Sequence, residues 1–189
     1  LEERVATRNH TEIMLAEMGV VIDRESMGDG HTIFIEPNLG LHPVDLTVSG
    51  DLSAAAYWLV AGSLAKNAEI QLPNVGINPT RSGVIEILEN MGAKIVQRNF
   101  RIVKGESVSD LVVQSARLHG TEITGSLIPR SIDELPVIAV AASMANGITE
   151  IRDAEELRVK ESDRIAAVAA MLRSFGASVD ILQDGLRIF

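Results

Sequence analysis

One pattern, written three times, sets what this chain can fold into. Arg8 leads into the apolar-periodic stretch Ile13–Met18, then Gly19 and Val20–Ile22. Thr80-Arg81 leads into Val84–Met91, then Gly92 and Ala93–Val96. Arg164 leads into Ile165–Phe175, then Gly176 and Ala177–Val179. Each copy reads as a helix that starts near an arginine, keeps apolar residues at i, i+3 and i+4, stops at a glycine and feeds a strand. Glycine suits the position just past a helix because it enters the left-handed conformation without a Cβ clash. The terminating glycines lie 73 and 84 residues apart. Self-similarity at a fixed period implies stacked copies of one supersecondary unit.

A second pattern alternates with the first. Asp51-Leu52-Ser53 opens the alanine-rich helix Ala54–Ala65, followed by a strand Ala68–Leu72. Asp133-Glu134 opens Leu135–Ala145, followed by Gly147 and a strand Ile148–Arg152. The two aspartates are 82 residues apart, and each stands where a carboxylate can cap free helix N–H groups. The unit is strand, helix, strand, helix, strand, strand, about 80 residues long, which predicts an α/β (two-layer α+β) fold. Its last two strands are expected as hairpins. Lys94–Gln97 and Arg101–Lys104 flank a turn at Asn99, and Ser178–Leu182 and Leu186–Phe189 flank Asp184-Gly185. Pro37–Pro43, with no periodicity, is the expected break between the tail of one unit and two full units after it. The chain starts at Leu1 and its final strand runs to Phe189, so a segment of a longer protein is expected.

Composition narrows the function. The 189 residues carry a net charge of −9 and only 3% aromatics, a poor basis for nucleic-acid binding, which needs clustered cations and stacking rings. The most apolar run, Leu135–Met144, is too short to span a membrane, and no signal pattern opens the sequence. The absence of cysteine excludes disulfides and thiolate zinc sites, and fits a reducing compartment. His10, His31, His42 and His119 are scattered, and none pairs at metal-ligand spacing, so no metal is expected. A small anionic substrate remains compatible with the acidic chain, because a few cations focused in a cleft hold it whatever the global charge.

The densest polar cluster is Glu155–Arg164. If helical geometry starts near Lys160, then Lys160 and Arg164 share a face with Glu161 beside them. Two cations at a helix start make an anion site, and a carboxylate between them stays ionised or exchanges a proton when partly desolvated. The competing reading is a solvated charged turn with Ser162 and Asp163 as caps. In Arg130–Glu134, Asp133 is either a base that also orients a substrate hydroxyl or a helix cap. Asp51 reads more simply as a cap, Asn78-Pro79-Thr80-Arg81 as a structural loop, and Arg8 as an exposed ion pair.

Glu156-Leu157-Arg158-Val159-Lys160-Glu161-Ser162-Asp163-Arg164-Ile165 resembles the signature of the EPSP synthases. Other stretches agree in order: Ser49–Ala55, Asn78-Pro79-Thr80-Arg81-x-Gly83, Met91-Gly92-Ala93, Ile132-Asp133-Glu134-x-Pro136 and Thr7–Glu12. The resemblance runs through nearly all of the chain and covers the central part of the family's sequence. It implies the enolpyruvyl transferase fold, an inside-out α/β barrel of two domains with three units each, here incomplete. Residues 1–45 would end the N-terminal domain, and residues 46–118 and 119–189 would be two units of the other.

The reaction implied is enolpyruvyl transfer from phosphoenolpyruvate to the 5-hydroxyl of shikimate 3-phosphate with release of phosphate. This is a step of the shikimate pathway, toward chorismate and the aromatic amino acids. By the same resemblance Asp133 holds the shikimate hydroxyls and is the favoured base, and Lys160 contacts the phosphoshikimate. Glu161 moves the proton to and from the methylene carbon, Arg164 grips phosphoenolpyruvate or the inhibitor glyphosate, and Arg8 meets the phosphate of phosphoshikimate. No cofactor is implied; a cytoplasmic monomer is expected. Two departures stand out. Glu156 occupies a position where some relatives carry a substrate-binding Asn and is left unassigned, and Asn9 replaces the usual Asp. The family's N-terminal lysine, its Ser-Ser/Ala-Gln segment and its C-terminal Arg and Lys lie outside these residues, so negligible turnover is expected of the chain alone. Two other readings are the sister transferase acting on UDP-N-acetylglucosamine, which shares the repeat but not the Arg158–Arg164 signature, and a non-catalytic repeat domain that uses its cleft for binding.

Overall fold

The computed structural model describes residues 1–37 and 40–189; two positions of the expected break at Pro37–Pro43 lie outside the described residues. The first part comprises β1 (Glu2–Glu3), α1 (His10–Glu17), β2 (Ile22–Met27) and β3 (Gly30–Ile35). Next come α2 (Leu52–Leu64), β4 (Glu69–Gly76), α3 (Gly83–Asn90), β5 (Lys94–Val103) and β6 (Glu106–Gln114). The last part holds β7 (Glu122–Ile123), α4 (Leu127–Ser131), α5 (Leu135–Ser143), β8 (Thr149–Ile151), a 3-10 turn over Glu155–Arg158, α6 (Arg164–Ser174), β9 (Val179–Ile181) and β10 (Leu186–Ile188).

The repeat survives as topology. The sheets run β1-β3-β2, β4-β6-β5 and β7-β8-β10-β9. In the last, β7 is parallel to β8 and the other pairs are antiparallel. The middle sheet has the same order once a parallel bridge from Gly50 to Val75 is counted as its opening strand. Helix endings repeat too. Gly19, Gly92 and Gly176 have φ of +95°, +92° and +89°. At each, the glycine N–H and the next N–H bond back to carbonyls of the last turn, as in Ala93 N to Leu88 O at 2.9 Å and Ala177 N to Leu172 O at 3.1 Å.

Helices α2, α3, α5 and α6 form one packed layer. α2 packs on α5, and α5 on α6 and α3. Helix α5 buries Leu135, Val137, Ile138, Ala139, Ala141 and Ala142, the all-round apolar character of a helix enclosed by neighbours. Small residues such as Ala56, Ala139, Ala142 and Ala169 let the helices approach, while Leu59, Ile87, Leu88 and Leu111 fill the space to the sheets. This is a mixed α/β architecture, and no sheet closes into a barrel among the described residues.

One expected hairpin is wrong in register. β5 does not turn at Asn99 but continues to Val103, and it pairs with a strand, β6, that the periodicity did not identify. Asn99 sits at φ +52° in an irregularity between Arg98 and Arg101, where its side chain donates to Asp110 at 2.8 Å. The turn falls at Lys104-Gly105, with φ of +49° and +76°, the mirror-image geometry that suits strand twist. Asparagine tolerates positive φ in a bulge as readily as in a turn, so its presence alone does not separate them.

Candidate active site

Two similar sequence patterns are put to different uses. Asp51 caps α2, accepting from Ser53 N at 3.2 Å and Ala54 N at 3.1 Å. Asp133 does not cap α5, whose first flanking residue is Glu134 with no side-chain cap bond. The short helix α4, absent from the sequence-based reading, ends just before Asp133. The Asp133 carboxylate reaches away from the helix to Arg8 and to Arg164, whose Nη1 is 3.3 Å from Oδ1.

The segment before α6 also departs from expectation. Helical geometry starts at Arg164, not Lys160, so Lys160 and Arg164 do not share a helix face. Asp163 is the cap, accepting from Ala166 N at 3.0 Å. Arg158 is a structural pin, donating to Gln183 O at 2.8 Å, Leu182 O at 2.6 Å and Asp163 at 2.8 Å. That leaves Lys160 to pair with Glu156, and Arg164 to grip Glu161 through Nη2 at 2.8 Å to each carboxylate oxygen. Arg8 arrives from the loop before α1. Asn9 Oδ1 accepts from the buried Asn78 at 2.9 Å, and His10 Nδ1 lies 2.5 Å from Glu106, which ties this loop to the middle unit.

These residues meet. Arg8, Asp133, Lys160, Glu161 and Arg164 line one opening of about 470 Å³, together with Glu156 and the walls Thr7, Pro129 and Ile132. The opening holds three cations and three carboxylates. Glu156 is the site residue that sequence reasoning left out; its spacing of four from Lys160 was the available signal. A second opening of about 370 Å³ contains His10, Asp51, Asn78, Arg81, Lys104 and Glu106 among mostly apolar walls. Several of its charged groups already pair with one another or with Asn78.

The electrostatics follow from the geometry. Burial pushes the Asp133 carboxyl up, but hydrogen bonds and charges from Arg8 and then Arg164 outweigh it and hold it below the usual range. Glu161 is lowered chiefly by its hydrogen bonds to Arg164, and Arg164 is raised chiefly by Glu161. Both carboxylates are therefore ionised at neutral pH with no ligand bound. A carboxyl whose pKa is depressed on folding stabilises the fold above its unfolded pKa, and loses that as pH falls through the folded value. The stability difference between the parent protein and Asp133→Asn should thus be full above about pH 5 and shrink below about pH 4. Urea midpoints measured at both ends check this; an equal difference at each would contradict it.

Comparison with known proteins identifies the family. A family model described as EPSP synthase (3-phosphoshikimate 1-carboxyvinyltransferase) matches residues 1–189. A 3-phosphoshikimate 1-carboxyvinyltransferase of Thermosynechococcus vestitus is 50% identical over 189 residues, covering all of this chain and 42% of the relative. One from Roseiflexus castenholzii is 50% identical over 191 residues, 43% of its length. Among solved structures, EPSP synthase from Acinetobacter baumannii superposes with a TM-score of 0.87 at 38% identity, over 98% of this chain and 41% of that one. The enolpyruvyl transferase NikO from Streptomyces tendae shares the fold, with a TM-score of 0.67 at 21% identity. The chain thus spans about two fifths of the length of the relatives it matches, and over all of its own length it belongs to the EPSP synthase family.

Proposed function

We propose that these residues supply part of the site at which the whole protein transfers an enolpyruvyl group from phosphoenolpyruvate to the 5-hydroxyl of shikimate 3-phosphate. The observation that carries this reading is the convergence of Asp133 and Glu161 with Arg8, Lys160 and Arg164 around one opening. Asp133 accepts the hydroxyl proton as the hydroxyl oxygen bonds to C2, while C3 gains a proton from Glu161. Loss of phosphate and return of the C3 proton then restore the double bond. Arg8 and Lys160 hold the phosphoshikimate, and Arg164 holds phosphoenolpyruvate or glyphosate.

Glu161 must change state during this cycle. An anion arriving at Arg164 competes for the guanidinium that now holds Glu161. Release from Arg164 and cover by the ligand both raise its carboxyl pKa, which turns a resting carboxylate into a group able to carry a proton. By the same reading residues 1–45 end one domain and 46–118 and 119–189 are two units of the other. The protein is a cytoplasmic monomer that needs no cofactor.

A phosphate-release assay tests the reading. The whole protein should release phosphate from phosphoenolpyruvate only when shikimate 3-phosphate is added, with glyphosate competing against phosphoenolpyruvate. The 189 residues alone should give negligible turnover. Dependence on UDP-N-acetylglucosamine would assign the sister reaction, and clear phosphoshikimate-dependent turnover by the 189 residues would show that they hold a complete site.

A further inference from the structure

Glu134 follows Asp133 and faces the opposite way. Its side chain is 2% exposed, against 35% for Asp133. A carboxylate that deep persists only with partners. Both partners come from the preceding unit: Ser53 Oγ donates to Glu134, and Arg81 Nη2 lies 3.4 Å away while also donating to Ser53. Ser53 lies in the first turn of α2, Arg81 just before α3 and Glu134 just before α5, so three helix starts are tied at one point.

Buried ion pairs seldom add net stability, since desolvation offsets the attraction; this one ties three helix starts together. The geometry at stake is the turn that carries Asp133. On its upstream side Arg130 pins α4 to Pro79 O and Glu86, each at 2.9 Å. On its downstream side the pin is Glu134. Asp133 hangs between the two.

The two units place matching residues differently. Asp51 and Arg81, 3.9 Å apart, are the counterparts of Asp133 and Arg164, 3.3 Å apart. Each aspartate precedes the long first helix of its unit, and each arginine stands at the start of the second helix. In the second unit the arginine faces the opening. In the first it borders the second opening and also reaches the neighbour's Glu134.

We propose that Glu134, Arg81 and Ser53 are positioning residues that hold the Asp133 carboxylate in the opening, across from Arg8 and Arg164. The inference rests on the reading of that opening as the shikimate 3-phosphate site. The test is a cycle of substitutions in the whole protein, read by calorimetric titration with shikimate 3-phosphate and by the KM for each substrate. Glu134→Gln should weaken phosphoshikimate binding about 10- to 100-fold, the scale of losing hydrogen bonds to a charged group. Ser53→Ala should weaken it less. The KM for phosphoenolpyruvate should stay within about twofold, and in an Asp133→Ala background both effects should vanish, since no carboxylate remains to be placed. An undiminished loss in that background overturns the proposal, because Glu134 then acts through general stability. If Glu134→Gln fails to fold, Ser53→Ala carries the same cycle. If Asp133→Ala weakens binding and neither Glu134→Gln nor Ser53→Ala does, only this inference fails. If Asp133→Ala leaves affinity unchanged, the reading of the opening fails and the inference falls with it.

Discussion

Glu161→Gln, introduced into the whole protein, is expected to lower kcat by about 10²- to 10⁴-fold, the range for loss of a positioned proton carrier. The amide keeps the shape and part of the hydrogen bonding of the carboxylate but cannot cycle a proton at C3. The sign on binding is equally specific. Glu161 now occupies Arg164 with two 2.8 Å contacts, and a neutral amide competes for that guanidinium less well. The KM for phosphoenolpyruvate should therefore hold or fall while kcat collapses. A rate within about threefold of the parent, with the fold intact by circular dichroism, would remove Glu161 from the chemistry and favour a non-catalytic cleft.

Asp133→Ala should cost at least as much, but through both substrate binding and rate. Loss of the proposed base predicts about 10²- to 10⁴-fold in kcat. Loss of the hydrogen bonds to the substrate hydroxyls predicts about 10- to 100-fold in the KM for shikimate 3-phosphate. The substitution also leaves Arg8 and Arg164 facing each other with no carboxylate between them, so added phosphate or sulfate should bind more tightly to the variant than to the parent. Steady-state kinetics with each substrate varied in turn separate the two effects. An unchanged phosphoshikimate KM would contradict the role given to Asp133.

Much of the fold was legible in the residues. The glycines that end α1, α3 and α6 announced the repeat, because a glycine directly after an amphipathic run marks a left-handed helix end. The Asp184-Gly185 hairpin was readable because a tight-turn pair separates two short apolar strands. The strand β6 was not, because Ser107, Ser109 and Asp110 interrupt its apolar alternation, and its burial comes from the strands β4 and β5 beside it and from α2 packed on them. At the candidate site, Arg8, Asp133, Lys160, Glu161 and Arg164 were singled out from the sequence, and the geometry that brings them to one opening was not legible there. Spacing placed Lys160 and Arg164 on one helical face, yet the chain there is irregular because Arg158 is drawn to the Leu182 and Gln183 carbonyls. The contrast between Asp51 and Asp133 was equally hidden. Both precede a helix rich in alanine, and Asp133 turns to the opening toward partners distant in sequence, Arg8 from more than a hundred residues upstream and Arg164 from downstream.

The contact between Arg81 and Glu134 also bears on how such a chain can be re-engineered. Repeat proteins invite modular redesign, in which one unit is swapped, deleted or reprogrammed while its neighbour is left alone. Here the units are cross-wired: a guanidinium made by one is the counter-ion of a carboxylate in the next. Freeing Arg81 to build a new anion pocket in the first unit would orphan a deeply enclosed charge in the second. The two must be altered together.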